Sequence, residues 1–115
     1  MTFCLAASLF AADAAVDAAK KQMAAKKYTE AIATLEPALK AKPKSVEIAK
    51  ALSEAYTGKG DVAMNDPALP PRQKYPDALR AFRKAVELDK DNAKAKDSIA
   101  MIEGIYKQMG RPVPQ

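Results

Sequence analysis

The sequence predicts an all-α chain of paired helices, and three observations carry that expectation. Apolar residues recur at helical intervals: Ala31, Ile32, Leu35, Ala38 and Leu39 form one stripe at i, i+3, i+4 and i+7, and Ala78, Leu79, Phe82, Ala85 and Val86 form another. These stripes belong to a spacing that occurs twice. Tyr28, Ala31, Leu35, Ala38 and Pro43 read Y-x2-A-x3-L-x2-A-x4-P; Tyr75, Ala78, Phe82 and Ala85 repeat Y-x2-A-x3-F-x2-A, with Lys90 where a proline would complete it. Finally, glycine, proline and capping residues punctuate the helical segments where helices should stop and start.

Five helices are expected, at about 13–25, 28–41, 46–59, 76–89 and 93–109. Lys26-Lys27 forms the tight turn after the first. Pro43 cannot continue the second helix and disfavours helix at Lys42 before it. Ser45 offers an N-cap oxygen to the third, with Glu47 in its first turn. Gly58 and Gly60 are expected to end the third helix. Pro76 suits the first turn of the fourth, with Asp77 at the positive end of its dipole. Asp91-Asn92 separates the fourth helix from the fifth, whose apolar stripe is Ile99, Ile102, Tyr106 and Met109. Gly110, Pro112 and Pro114 stop the last helix and leave residues 110–115 as an extended tail.

The repeated spacing resembles the second helix of a tetratricopeptide repeat (TPR), a helix–turn–helix unit of about 34 residues. Ala18-Ala19 and Leu52-Ser53 lie 34 positions apart, where the TPR pattern has its Leu-Gly pair, and Tyr56 follows in the second unit. The first unit departs from the pattern, with Ala15, Ala18 and Gln22 in place of Trp, Leu and Tyr. From Tyr28 to Tyr75 and from Leu52 to Ile99 the offset is 47, which exceeds 34 by 13, so one insertion of that size is expected at Val62–Lys74. The resemblance implies a right-handed α-α superhelix. Its parts would be a TPR domain at 12–109, with repeat one at 12–45, repeat two at 46–92 including the insertion 62–74, and a C-terminal capping helix at 93–109. Asn65-Asp66-Pro67 and Leu69-Pro70-Pro71 make the insertion turn-rich, and a loop of 13 residues is long for a helix pair. It is expected either to fold back on the second repeat or to contact a partner.

Residues 1–11 are sequence of another kind. Phe3–Phe10 is an apolar run that fits the h-region of a signal peptide, and Leu9-Phe10-Ala11 before Ala12-Asp13 resembles a cleavage site. Only Met1 and Thr2 precede the run, so the charged n-region is missing, as in a truncated signal peptide. Export to the periplasm or beyond is the expectation, with Cys4 leaving alongside the leader. The alternative is a cytoplasmic protein whose apolar first turn packs on the helices. The run is too short to span a bilayer, so no stable membrane insertion is expected.

Composition narrows function further. Of 115 residues 49% are hydrophobic, but alanine supplies much of that and only 7 are aromatic (3 Phe and 4 Tyr), so the core is thin and depends on close helix contacts. With no His and one Cys, Cys/His metal clusters, a Cys–His pair, a Ser–His–Asp triad and a disulfide are all excluded. Asp and Glu are scattered among lysines as on a solvated face, so no enzyme activity and no cofactor are expected. The net charge is +5, but the lysines cluster at helix ends, where the macrodipole accounts for them. They lack interleaved aromatics, so no nucleic-acid partner is expected.

The resemblance implies a non-catalytic scaffold for protein–protein interaction, binding a peptide or protein in a concave groove lined by the first helix of each repeat. By register the candidate peptide-binding residues are Asp17, Lys20, Met23, Lys50, Glu54, Thr57, Lys94, Asp97, Met101 and Ile105, with Ala51 beside them. One TPR variety holds a C-terminal carboxylate with Lys and Asn. Here those positions hold Val16, Lys20 and Ala51, and only Lys94 keeps the expected base, so that mode is not expected. The alternative function is self-association as a homo-oligomer, favoured by the small surface of Ala14, Ala15, Ala18 and Ala19. A basic surface for nucleic acid or anionic glycans is a third class.

Overall fold

The computed structural model describes residues 3–115, with side chains from Asp13 onward. Five helices follow one another: α1 (Phe3–Ala24), α2 (Tyr28–Ala41), α3 (Val46–Asn65), α4 (Pro71–Leu88) and α5 (Ala93–Gln108), with no strand among the described residues. Met1 and Thr2 lie outside the described residues, as do the side chains of the expected leader, Cys4 included. The helix that the sequence places at 13–25 begins at Phe3 in the backbone.

Helix ends follow local chemistry. Lys26 takes a positive φ of 60° after α1, and Lys26 N and Lys27 N donate to the carbonyls of Met23 and Gln22 at 2.9 and 2.8 Å. Those two bonds close the helix end as a Schellman turn does. Ser45 Oγ accepts from Ile48 N at 3.2 Å to open α3, and Asn92 Oδ1 accepts from Ala95 N at 3.0 Å to open α5. Gly110, at φ 66°, repeats the Schellman geometry after α5, with Arg111 N donating to Tyr106 O at 3.0 Å.

The expected end of α3 and start of α4 also differ from the observed ones. α3 does not stop at Gly58 and Gly60 but continues to Asn65, and both glycines are buried. A Cβ on Gly58 would stand 2.1 Å from the Tyr28 ring, and one on Gly60 would stand 2.6 Å from the Phe82 ring. The glycines therefore admit rings from α2 and α4 against the α3 backbone. Each costs about 1 kcal/mol of helix propensity, and the close packing outweighs it. α4 likewise begins at Pro71 in its first position rather than at Pro76, which sits inside the helix. The 13-residue loop expected at 62–74 is thereby mostly absorbed: its two ends lengthen α3 and α4, and residues 66–70 make the turn. There Asp66 Oδ1 accepts from Ala68 N at 2.9 Å.

Successive helices pack as neighbours, α1 on α2, α2 on α3, α3 on α4 and α4 on α5, with α1 also touching α3. The result is drawn out. Its radius of gyration is 16.1 Å, against about 13 Å for a compact chain of this length. The core divides in two. One cluster joins Val16 and Ala19 to Ala31, Leu35, Ile48 and Leu52. The other joins Ala78, Leu79, Phe82 and Ala85 to Ala95, Ile102 and Tyr106. Tyr56 packs against both. Its hydroxyl donates to the Glu36 carboxylate, and burial together with that neighbour pushes its pKa up to about 12.

Ala31 and Ala78 are wholly buried, as their place on the apolar stripes predicts. Met109 is a correction: assigned to the α5 stripe, it is exposed. The tail is also more attached than expected. Val113 packs on the second cluster, and Arg83 Nη1 donates to Pro114 O at 2.9 Å.

Candidate binding cleft

A cleft of about 460 Å³ opens where the end of α1, the start of α2, the middle of α3 and the α4–α5 turn converge. Met23 and Tyr28 form one wall, and Glu54, Thr57 and Gly58 form the α3 floor. Asp61, Asp89, Asn92 and Lys94 close the far side. Glycine at position 58 is what lets the Tyr28 ring lie over α3 there.

The far side is held by a polar network centred on Asn92. While its Oδ1 caps α5, its Nδ2 donates to Ser53 Oγ and to Thr57 Oγ1, each at 2.9 Å. Ser53, wholly buried, donates its own hydroxyl to Ala85 O at 2.7 Å, and Thr57 donates to Ser53 O at 2.8 Å. Asn92 and Ser53 together thus tie α3, the end of α4 and the start of α5, and no buried side-chain polar atom among the described residues lacks a partner. The Thr57 hydroxyl is committed to this network on both its donor and acceptor sides.

Charge in the cleft runs against that of the chain. Three carboxylates, Glu54, Asp61 and Asp89, face one cation, Lys94. Lys94 Nζ lies 2.6 Å from Asp61 Oδ2, and that hydrogen bond and charge raise the lysine's pKa. The pair neutralises itself, which leaves Glu54 and Asp89 as excess negative charge beside an aromatic face and a thioether. This combination suits a cationic side chain, through ion pairing and a cation–π contact. Among the described residues, no group of three His, Cys, Asp or Glu side chains is placed to hold a metal ion, and no helix is long and apolar enough to cross a membrane.

Of the ten residues that the sequence places in a groove, the cleft gathers Met23, Glu54, Thr57 and Lys94. Asp17, Lys20, Lys50, Asp97 and Met101 are exposed and Ile105 is half-buried, but none of the six lines this cleft. Ala51 belongs to the first core cluster, as does Val16. Sequence reasoning missed Tyr28, Asp61, Asp89 and Asn92 as cleft residues. Asn92 was legible as a helix boundary, but its reach to Ser53 and Thr57 spans 39 and 35 positions of sequence. No local pattern carries such information.

No protein-family model, no curated protein and no solved structure matches the chain.

Proposed function

We propose that the protein is a non-catalytic interaction module of the TPR type that holds an extended peptide or protein segment in this cleft, with a basic side chain of the partner against Glu54, Asp89 and Tyr28. The observation that carries the reading is the convergence of Met23, Glu54, Thr57 and Lys94, from three helices, on one open concavity. The twofold Y-x2-A spacing and the serial packing of neighbouring helices support the repeat assignment. The apolar run Phe3–Phe10 supports export.

The test is a pull-down with the domain in moderate salt, comparing the wild type with Glu54→Lys. Glu54 is exposed, so its reversal should leave the melt within about 0.5 kcal/mol, while partner retention falls and lysine- or arginine-bearing peptides compete. Retention unchanged in Glu54→Lys but lost on replacing Met64, Leu69 or Arg72 would move recognition to the α3–α4 turn.

Self-association is the second reading, favoured by a specific feature of α5. Its exposed surface away from the cleft carries the charges Lys96, Asp97, Glu103 and Lys107, as a capping helix would, yet Met101 on this helix is 51% exposed. Light scattering across concentration separates a dimer or larger assembly from a monomeric peptide binder.

A further inference from the structure

A second pocket, of about 480 Å³, lies at the opposite end of the α4–α5 pair from the cleft. Pro70, Pro71, Tyr75 and Met109 give it apolar walls. Arg72 and Arg111 line it as well, and no acidic residue does. Tyr106 completes it, its ring meeting Tyr75 edge-on with centroids 6.2 Å apart. We propose that this pocket binds an organic carboxylate with an apolar body, the carboxylate between the two guanidinium groups and the body against the tyrosine pair.

Three observations support the assignment. The ion pairs among the described residues are Arg80–Asp77, Lys84–Glu87 and Lys94–Asp61, so both pocket arginines keep their charge uncommitted. Both also leave the backbone at fixed points. Arg72 follows Pro71 in the first turn of α4, and Arg111 N is bonded to Tyr106 O in the turn at Gly110. Arginine's planar fork matches a carboxylate in a way that a lysine would not. Tyr106 is the third. Only 8% exposed, it makes no side-chain hydrogen bond among the described residues, yet its hydroxyl is not a buried orphan. Its hydroxyl therefore keeps some exposure and has no protein partner, and the proposal assigns it as a donor to the ligand. The volume suits a small molecule or one side chain with its neighbours, and the pairing of apolar walls with a few convergent polar groups is typical of ligand sites.

The probe is phenylacetate, with neutral phenylacetamide as its control, titrated into the full chain by calorimetry and by NMR of the tyrosine and methionine side chains. Phenylacetate should bind with a dissociation constant on the order of 1 mM and shift the Tyr75, Tyr106 and Met109 signals. Phenylacetamide should bind at least about tenfold more weakly, as should phenylacetate to Arg72→Gln or Arg111→Gln, the loss expected for one charge-assisted hydrogen bond. Tyr106→Phe, which keeps the ring, should weaken binding several-fold, and Glu54→Lys should leave it unchanged. The proposal is overturned by equal binding of acid and amide, by undiminished binding to a variant carrying both Arg72→Gln and Arg111→Gln, or by the absence of saturable binding to the wild type.

Discussion

Tyr28 lies against the bare backbone of Gly58, whereas Tyr75, its counterpart 47 positions on, meets the ring of Tyr106 edge-on. The same pairing runs through both joints of the chain. The Ser45 side chain caps α3 and makes no other hydrogen bond among the described residues, while that of its counterpart Asn92 caps α5 and also bonds to two α3 hydroxyls. Leu35 and Phe82 are counterparts too, both wholly buried. The α2–α3 joint thus sets a ring on bare backbone and has a cap that bonds only locally, whereas the α4–α5 joint sets ring against ring and has a cap that reaches across to α3. Spacing along a helix decides which surfaces meet. The residues received from the next helix decide what holds them.

The largest expected effect lies at the paired large residues. Phe82→Ala should cost about 3–5 kcal/mol and Leu35→Ala about 2–5, with phenylalanine the greater loss. Phe82 fills the second cluster and also lies on the Gly60 backbone, so its removal empties both contacts at once. Urea melts of both variants decide it. A larger loss at Leu35 would mean that the α2–α3 joint is the stronger one.

Next come the caps. Asn92→Ala should cost about 3 kcal/mol: about 1 for the cap and about 1 for each hydrogen bond to Ser53 and Thr57. Ser45→Ala should cost about 1 kcal/mol, for the cap alone. Asn92→Asp sharpens the comparison, since it keeps the capping oxygen and loses both donors. If Asn92→Asp melts with the wild type, the bonds to α3 contribute nothing and the two joints differ only in their apolar packing.

Much of this was legible in the sequence. The stripes through Ala31 and Leu35 and through Ala78 and Phe82 named the helices and their buried faces, because a 3.6-residue period with small residues between large ones has few other realisations. The candidate site was less legible. Lys20, Lys50 and Asp97 sit on exposed helix surfaces, but whether such surfaces share one concavity depends on how helices cross, which periodicity does not encode. The boundary errors at Gly58, Gly60 and Pro76 have a related source. Propensity treats these residues as stops worth about 1–3 kcal/mol, but a helix end is chosen by the sum of all contacts, and the partners of Gly58 and Gly60 lie over 20 positions away.

Those two glycines give the third test. Gly60→Ala should cost about 2 kcal/mol even though alanine is the better helix former, because Phe82 is wholly buried and cannot yield. Gly58→Ala places its methyl still deeper in a ring, but Tyr28 is only half-buried and can swing toward solvent. Its cost should be about 1 kcal/mol, with a change in tyrosine fluorescence. If both variants gain stability, the rings do not lie on α3 and the close approach is wrong.

The smallest effect has the opposite sign. Gly104 sits inside α5, where an added Cβ would meet nothing within 4 Å. There the propensity argument applies without competition, and Gly104→Ala should stabilise by about 0.5–1 kcal/mol. The same substitution in the same kind of helix thus changes sign between α3 and α5 according to what lies opposite. The outcome also bears on self-association, since Gly104 is exposed on α5, as Met101 is. Melts at low and high protein concentration should give the same gain if this part of α5 faces water. A gain at low concentration that becomes a loss at high concentration would show a second copy packed against Gly104, closing the space that the isolated chain leaves open.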